Sequence, residues 1–208
     1  MFCRSFRALL ILLVGLTFCS LVFAQSIPTL QDAIASGQVN GVFYGTGSSS
    51  GDSVTVEVSK GPKAASGPKE VSVPPGSRLD SADAGAQGMM ILGIAGRVTG
   101  ATTYAPADNI VVPATGTATY LLTAFCSEFH KDNPSESTRF TLRSPDPSLA
   151  CIAKRSKDGG LSIDATQAAV WIYTDRLTFE AVNEKFSVSR TDWDRAQQVV
   201  RACGLGGR

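Results

Sequence analysis

Apolar and polar residues alternate most clearly in two segments, and each alternation predicts a strand with one buried and one wet face. In the first segment, Val54, Val56 and Val58 alternate with polar residues. In the second, residues 117–126, threonines at 117, 119 and 123 lie on one face. The opposite face is apolar and ends at Cys126, so the pattern predicts that the Cys126 thiol points into the core.

Shorter apolar runs predict the rest of a sheet. Residues 88–95 are almost wholly apolar, which is typical of a central strand covered on both faces. Residues 39–44 and 140–142 predict further strands of this sheet, and residues 71–73 and 109–112 predict two short ones. Residues 77–85 have the composition of a turn.

Helical periodicity dominates after the last predicted strand. Residues 149–153 predict a short helix, and residues 165–174 predict a nearly all-apolar helix capped by Asp164 or Thr166. Helical spacing recurs over 179–186 and in a stripe from Trp193 to Cys203, for which Ser189 is the expected N-cap. A short helix capped by Thr29 precedes the strands. The predicted fold is α+β: an antiparallel sandwich-like sheet over 39–142, followed by three or four helices over 146–204.

The first 24 residues have the features of a secretory signal peptide. Arg4 and Arg7 precede an apolar run over 8–16, and residues 22–24 offer a cleavage site. The run is too short to cross a bilayer. We therefore expect residues 25–208 to form one secreted domain in a periplasmic or extracellular compartment.

Charge and composition narrow the classes of partner. The chain has 19 basic and 18 acidic side chains, and removal of Arg4 and Arg7 leaves it near neutral. Such a chain offers little attraction for nucleic acid or anionic membrane. No pattern predicts a cofactor or a metal. The expected partner is an extracellular protein or glycan surface.

Three cysteines remain after removal of the predicted signal peptide: Cys126, Cys151 and Cys203. An odd number in an oxidising compartment leaves one thiol unpaired or paired between chains. We favour a disulfide between Cys151 and Cys203, because both lie on predicted terminal helices, although the sequence leaves other pairings open.

Two conventional types of site have weak support. His130 is the only histidine, so a cysteine hydrolase would have to use Cys126 and His130, with Asn133 as a third member. These residues lie within one strand end and its loop, whereas such triads usually join distant segments. Asp80 and Asp83 lie in the predicted turn, but their spacing is not that of an EF-hand, and we interpret them as structural.

A more specific pattern joins Phe125-Cys126 with the segment Thr166-Gln167-Ala168-Ala169-Val170-Trp171. It resembles the thioester domains of bacterial surface adhesins, in which a cysteine after an aromatic residue bonds to the glutamine of a Thr-Gln-x-Ala helix start. The resemblance implies that Cys126 supplies the thiol and Gln167 the acyl group, with Thr166 and Trp171 in supporting positions. It also implies that an amine on a partner surface captures the acyl group. We expect free N–H groups at the helix start to stabilise the oxyanion of the intermediate.

The sequence thus predicts a secreted, non-enzymatic binding or structural module. The more specific hypothesis is that this module contains an internal Cys126–Gln167 thioester. The alternative is a secreted cysteine-type hydrolase that uses Cys126 and His130.

Overall fold

A computed structural model of the protein describes residues 26–206. The predicted signal peptide, residues 1–24, lies outside the described residues. Between residues 26 and 206, no helix combines the length and the apolar character that crossing a membrane would require.

The described residues form nine strands and five α-helices. The strands are β1 (Val39–Gly45), β2 (Ser50–Lys60), β3 (Glu70–Val71), β4 (Ser77–Ser81), β5 (Met89–Gly100), β6 (Thr103–Pro106), β7 (Ile110–Val111), β8 (Thr117–Cys126) and β9 (Arg139–Pro145). The helices are α1 (Leu30–Ala35), α2 (Pro147–Asp158), α3 (Ile163–Thr174), α4 (Phe179–Asn183) and α5 (Arg190–Ala202).

Six of these strands close into an antiparallel barrel. Their order is β4-β9-β1-β2-β8-β5, and β5 pairs back with β4 to complete the ring. Strand β6 extends the sheet outside the barrel by pairing with the second half of β5. The predicted sandwich is therefore wrong: the fold is mixed α and β, but its sheet is a barrel.

Strand β4 accounts for the error, because the sequence predicts a turn over 77–85. Only Leu79 is an apolar residue in the five-residue strand, and it is fully buried. The strand forms because its two neighbours pair with it, with Arg78 opposite Met90 of β5 and Leu79 opposite Leu142 of β9. A strand whose hydrogen bonds are satisfied on both edges needs little alternation of its own.

The predicted strands near 71–73 and 109–112 do exist, as β3 and β7. They pair only with each other and form a two-stranded sheet apart from the barrel.

Helix ends follow local chemistry closely. Thr29 and Ser189 cap α1 and α5 as predicted, each through a side-chain oxygen that accepts a backbone N–H three residues on. Helix α3 begins earlier than predicted, because Ser162 is its N-cap, and neither Asp164 nor Thr166 has that role. Helix α2 is more than twice as long as predicted, and Asp146 caps it.

The helices form a layer centred on α3. Helix α3 contacts β8 and β2, and α2 and α5 flank it. The predicted disulfide between Cys151 and Cys203 is present and ties α2 to α5. Residues 165–171 of α3 are all buried, which explains why this helix has no polar stripe. The layer brings α3 against the end of β8, where Cys126 lies.

Candidate functional site

The side-chain amide of Gln167 is hydrogen-bonded to the backbone of Cys126 in both directions. Gln167 Nε2 donates to the Cys126 carbonyl oxygen at 2.7 Å, and the Cys126 N–H donates to Gln167 Oε1 at 3.0 Å. The same N–H also lies 3.1 Å from the Ser49 carbonyl oxygen. Two residues that are 41 positions apart in sequence are therefore direct neighbours.

Helix α3 holds the carboxamide at this position. Gln167 is the fifth residue of the helix, one turn after the Ser162 cap. The predicted oxyanion donors, the free N–H groups of the helix start, do not contact its side-chain oxygen in this arrangement. The Cys126 N–H does so instead, so strand β8 supplies both the sulfur and the hydrogen-bond donor.

Thr166 and Trp171, the two predicted supporting residues, are both buried but have different surroundings. Thr166 Oγ1 donates to the Ser162 carbonyl oxygen at 2.9 Å, which reinforces the first turn of α3. Trp171 packs edge-on against Phe129, with 5.1 Å between ring centroids, and in a tilted arrangement against Phe186, with 4.7 Å between centroids. Its Nε1–H has no hydrogen-bond acceptor within the described part of the chain. The aromatic cluster shields one side of the region from water.

Cys126 is fully buried and has no disulfide partner among residues 26–206. Burial raises the pKa of its thiol to about 12, and the negative charge of Glu128 acts in the same direction. At neutral pH the sulfur therefore carries its proton, because a thiolate in this position would be poorly solvated.

The alternative pair, Cys126 and His130, does not form a hydrogen bond within residues 26–206. His130 is exposed, and its ring lies 5.3 Å from that of Phe129. Asn133 accepts a hydrogen bond from Gln87 at 3.2 Å. A cysteine hydrolase would need His130 as the base beside the thiol, or a lowered thiol pKa; among the described residues His130 forms no hydrogen bond to Cys126, and the pKa of the thiol is raised.

An open cleft of about 580 Å³ is lined by residues adjacent to Cys126 in the chain, but Cys126 and Gln167 themselves are not part of its wall. Ser127 and Glu128, which directly follow Cys126, are part of its wall, and so is Gly88, next to the strand partner of Cys126. The rest of the wall comes from β4, loop 81–88, the start of α2 and the end of α3, together with Lys131 and Arg176.

Sequence reasoning missed Glu128 as a residue of this region. The only signal was an acidic residue two positions after a cysteine that ends a strand, and such a signal is too common to be specific.

The carboxylates considered for calcium have protein partners. Asp80 pairs with Arg78 at 3.1 Å and with Arg143 at 2.8 Å. Asp83 accepts the Gly85 N–H at 2.9 Å within the loop after β4. These contacts account for both side chains without an ion.

Comparisons of the chain with protein-family models, with curated proteins and with solved structures find no match.

Proposed function

We propose that this protein is a non-enzymatic binding module in which Cys126 and Gln167 form an internal thioester, and that an amine on an extracellular partner opens the thioester to give a covalent attachment. The supporting observation is the pair of hydrogen bonds between the Gln167 carboxamide and the Cys126 backbone. They hold the acyl carbon beside the residue that carries the thiol. Holding two reactants in one geometry converts a slow bimolecular step into an intramolecular one.

The chemistry balances with the groups present. The Cys126 sulfur adds to Gln167 Cδ, and the carbonyl oxygen acquires negative charge. The Cys126 N–H already donates to that oxygen and stabilises the charge as it develops. The C–N bond then breaks, a C–S bond remains, and the nitrogen leaves as ammonia with the proton that the thiol gives up.

Burial suits the thioester better than it suits a hydrolytic nucleophile. Cys126 is fully buried and Gln167 is 5 % exposed, so water has little access to the bond once it forms. A partner amine approaches from the cleft that Ser127 and Glu128 line. In this proposal the protein reacts once and stays attached, which is binding without turnover.

Intact-mass analysis of the exported, unreduced protein tests the proposal. The expected mass is that of the sequence with one disulfide and without one ammonia. Methylamine should then add once, and peptide mapping should locate it on Gln167 and not on Gln197 of α5.

Cys126→Ser is the matched control, because it replaces the thiol by a hydroxyl group on a side chain of similar size. The variant protein should retain the ammonia and take up no methylamine. A wild-type protein that keeps its ammonia and has a Cys126 thiol open to alkylation after unfolding would overturn the thioester. Gln167 would then be a buried polar residue that only fastens α3 to β8.

A further inference from the structure

Glu128 follows Cys126 by two residues, just beyond the end of β8. Its Oε2 accepts the Gly88 N–H at 2.7 Å. Gly88 directly precedes Met89, which is the strand partner of Cys126 in the β5–β8 ladder. The Ser127 N–H, between the two, donates to the Gly88 carbonyl oxygen at 3.0 Å. The carboxylate is therefore fixed at the same end of the same strand pair as the thiol.

The other oxygen of Glu128 is paired with Lys131, and both side chains line the cleft. Oε1 pairs with Lys131 Nζ at 2.6 Å, and 41 % of the Glu128 side chain is exposed. The Glu128 backbone N–H approaches Gln87 Oε1 at 3.4 Å. The carboxylate is thus held at Oε2 by a backbone N–H and at Oε1 by a partly exposed lysine side chain, and it can exchange a proton with a molecule in the cleft when the lysine moves aside.

We propose that Glu128 carries a proton when the thioester is opened. An amine enters this cleft and attacks the acyl carbon of Gln167. Glu128 accepts a proton from the amine nitrogen and then passes it to the departing Cys126 sulfur. The inference rests on the proposed thioester and assigns a proton carrier to its opening. General acid–base assistance of this kind contributes about 10²- to 10⁴-fold to a rate.

The step needs such a carrier. When the amine nitrogen bonds to the acyl carbon, the C–S bond breaks, and the nitrogen must lose one proton while the sulfur gains one. Because the thiol of Cys126 has a pKa of about 12, its thiolate is a strong base and leaves poorly without a proton. The net products are an amide on Gln167 and a neutral Cys126 thiol.

Several charges determine the protonation state of Glu128. Burial alone would raise the pKa of its carboxyl, but hydrogen bonds from Lys131 and from the Gly88 N–H together hold the pKa below its ordinary value. Asp80 of β4 opposes this effect. The remaining charged side chains around the cleft are Arg78, Asp83, Asp146 and Arg176. Glu128 is therefore ionised at neutral pH and able to accept a proton.

The test compares the full-length exported protein with its Glu128→Gln variant. Both should lose ammonia, since Glu128 is not needed for the buried pair to meet. The rate of methylamine addition, expressed per unprotonated amine, should fall at least about 10-fold in the variant. Asp83→Asn is the control, because Asp83 lines the same cleft and contacts Gly85, not Glu128; its rate should equal that of the wild type.

A pH profile separates proton transfer from a merely structural role. The wild-type rate should fall as pH drops through the Glu128 pKa, and Glu128→Gln should lose this inflection. Lys131→Gln removes the pairing cation and keeps the carboxylate, so the inflection should move to higher pH.

Different results contradict the two proposals. A wild-type protein that retains its ammonia overturns the thioester and with it the role of Glu128. Thioester formation with equal rates in wild type and Glu128→Gln overturns only the role of Glu128. If Glu128→Gln does not form the thioester, the pH profile of methylamine addition to Lys131→Gln decides. An inflection at the same pH as in the wild type overturns the role of Glu128.

Discussion

Gln167 of the central helix and Cys126 at the end of β8 are joined by two hydrogen bonds, one in each direction, between a side-chain amide and a backbone peptide group. A glutamine side chain that is bonded to the backbone in this way continues the pairing pattern of a strand. It fixes the height of α3 along the barrel and places a carboxamide against the backbone of the residue that carries a buried thiol.

These hydrogen bonds should contribute measurably to stability even without a covalent bond. In a Cys126→Ala background, which cannot form a thioester, Gln167→Leu should lower the free energy of unfolding by about 1–3 kcal/mol. The loss arises mainly at the backbone carbonyl of residue 126, which loses its hydrogen-bond donor. The backbone N–H of the same residue still donates to the Ser49 carbonyl oxygen.

Urea unfolding measures the difference. Gln197→Leu on α5, in the same background, is the control and should change stability by less than about 0.5 kcal/mol. Equal losses in the two variants would show that the hydrogen bonds add nothing to the fold.

The buried thiol should resist alkylation in a variant that cannot form the thioester, such as Gln167→Met. Because the pKa of Cys126 is raised to about 12, the reactive thiolate is scarce below that pH. The iodoacetamide reaction should therefore accelerate steadily with pH up to pH 10, with no plateau. Unfolding should speed it by roughly three orders of magnitude at neutral pH.

The same assay addresses the hydrolase alternative. His130→Ala should leave the alkylation rate unchanged, since His130 is exposed and forms no hydrogen bond to Cys126. A clear slowing in this variant would support a Cys126–His130 pair and count against the binding module.

Closure of the barrel should depend on Gly76, the residue before β4. Its φ is +81°, and a Cβ there would lie 2.3 Å from the backbone nitrogen of Ala150 in α2. Gly76→Ala should therefore destabilise the protein by at least about 3 kcal/mol, since strain from the left-handed backbone adds to a clash with backbone that cannot move aside.

Gly116→Ala is the matched control for thermal unfolding. Gly116 also has a positive φ, of +70°, but a Cβ there meets no atom within 4 Å. This variant should cost only about 1–2 kcal/mol. If the two variants melt at the same temperature, the close approach between the β4 turn and α2 does not limit the fold.

Acid should weaken the junction between α3 and α5. Hydroxyl groups of Ser162 and Ser189, the N-caps of these helices, donate to Asp192 and lower the pKa of its carboxyl. A carboxyl whose pKa is lower when folded stabilises the fold above its unfolded pKa, and this contribution is lost as pH falls through the folded value.

Thermal unfolding of wild type and Asp192→Asn between pH 7 and pH 2 measures the effect. At neutral pH the variant should be less stable by about 0.3–1 kcal/mol, because Asp192 also lies in the first turn of α5. The gap should close at the acid end. If the difference in stability between wild type and Asp192→Asn stays constant with pH, the loss comes from changed packing or hydrogen bonding and not from the charge of Asp192.

The sequence alone determined those features that depend on residues close to one another along the chain. The alternation of apolar and polar residues predicted β2 and β8. The capping residues Thr29 and Ser189 predicted where α1 and α5 begin. The predicted helices that carry Cys151 and Cys203 favoured a disulfide between them, but the sequence left other pairings open and the structure decided among them.

Only the tertiary structure decided what depends on distant pairing. Strand β4 has one buried apolar residue and the composition of a turn, so its sequence does not predict a strand. Its pairing on both edges closes the sheet into a barrel instead of a sandwich. The same holds for the site: Gln167 and Cys126 were paired by a motif, but the donor to the carboxamide oxygen proved to be the Cys126 N–H and not the helix start. The physical reason is that contacts such as the hydrogen bond between Gly88 and Glu128 join segments 40 residues apart, and no local pattern records which strands will be neighbours.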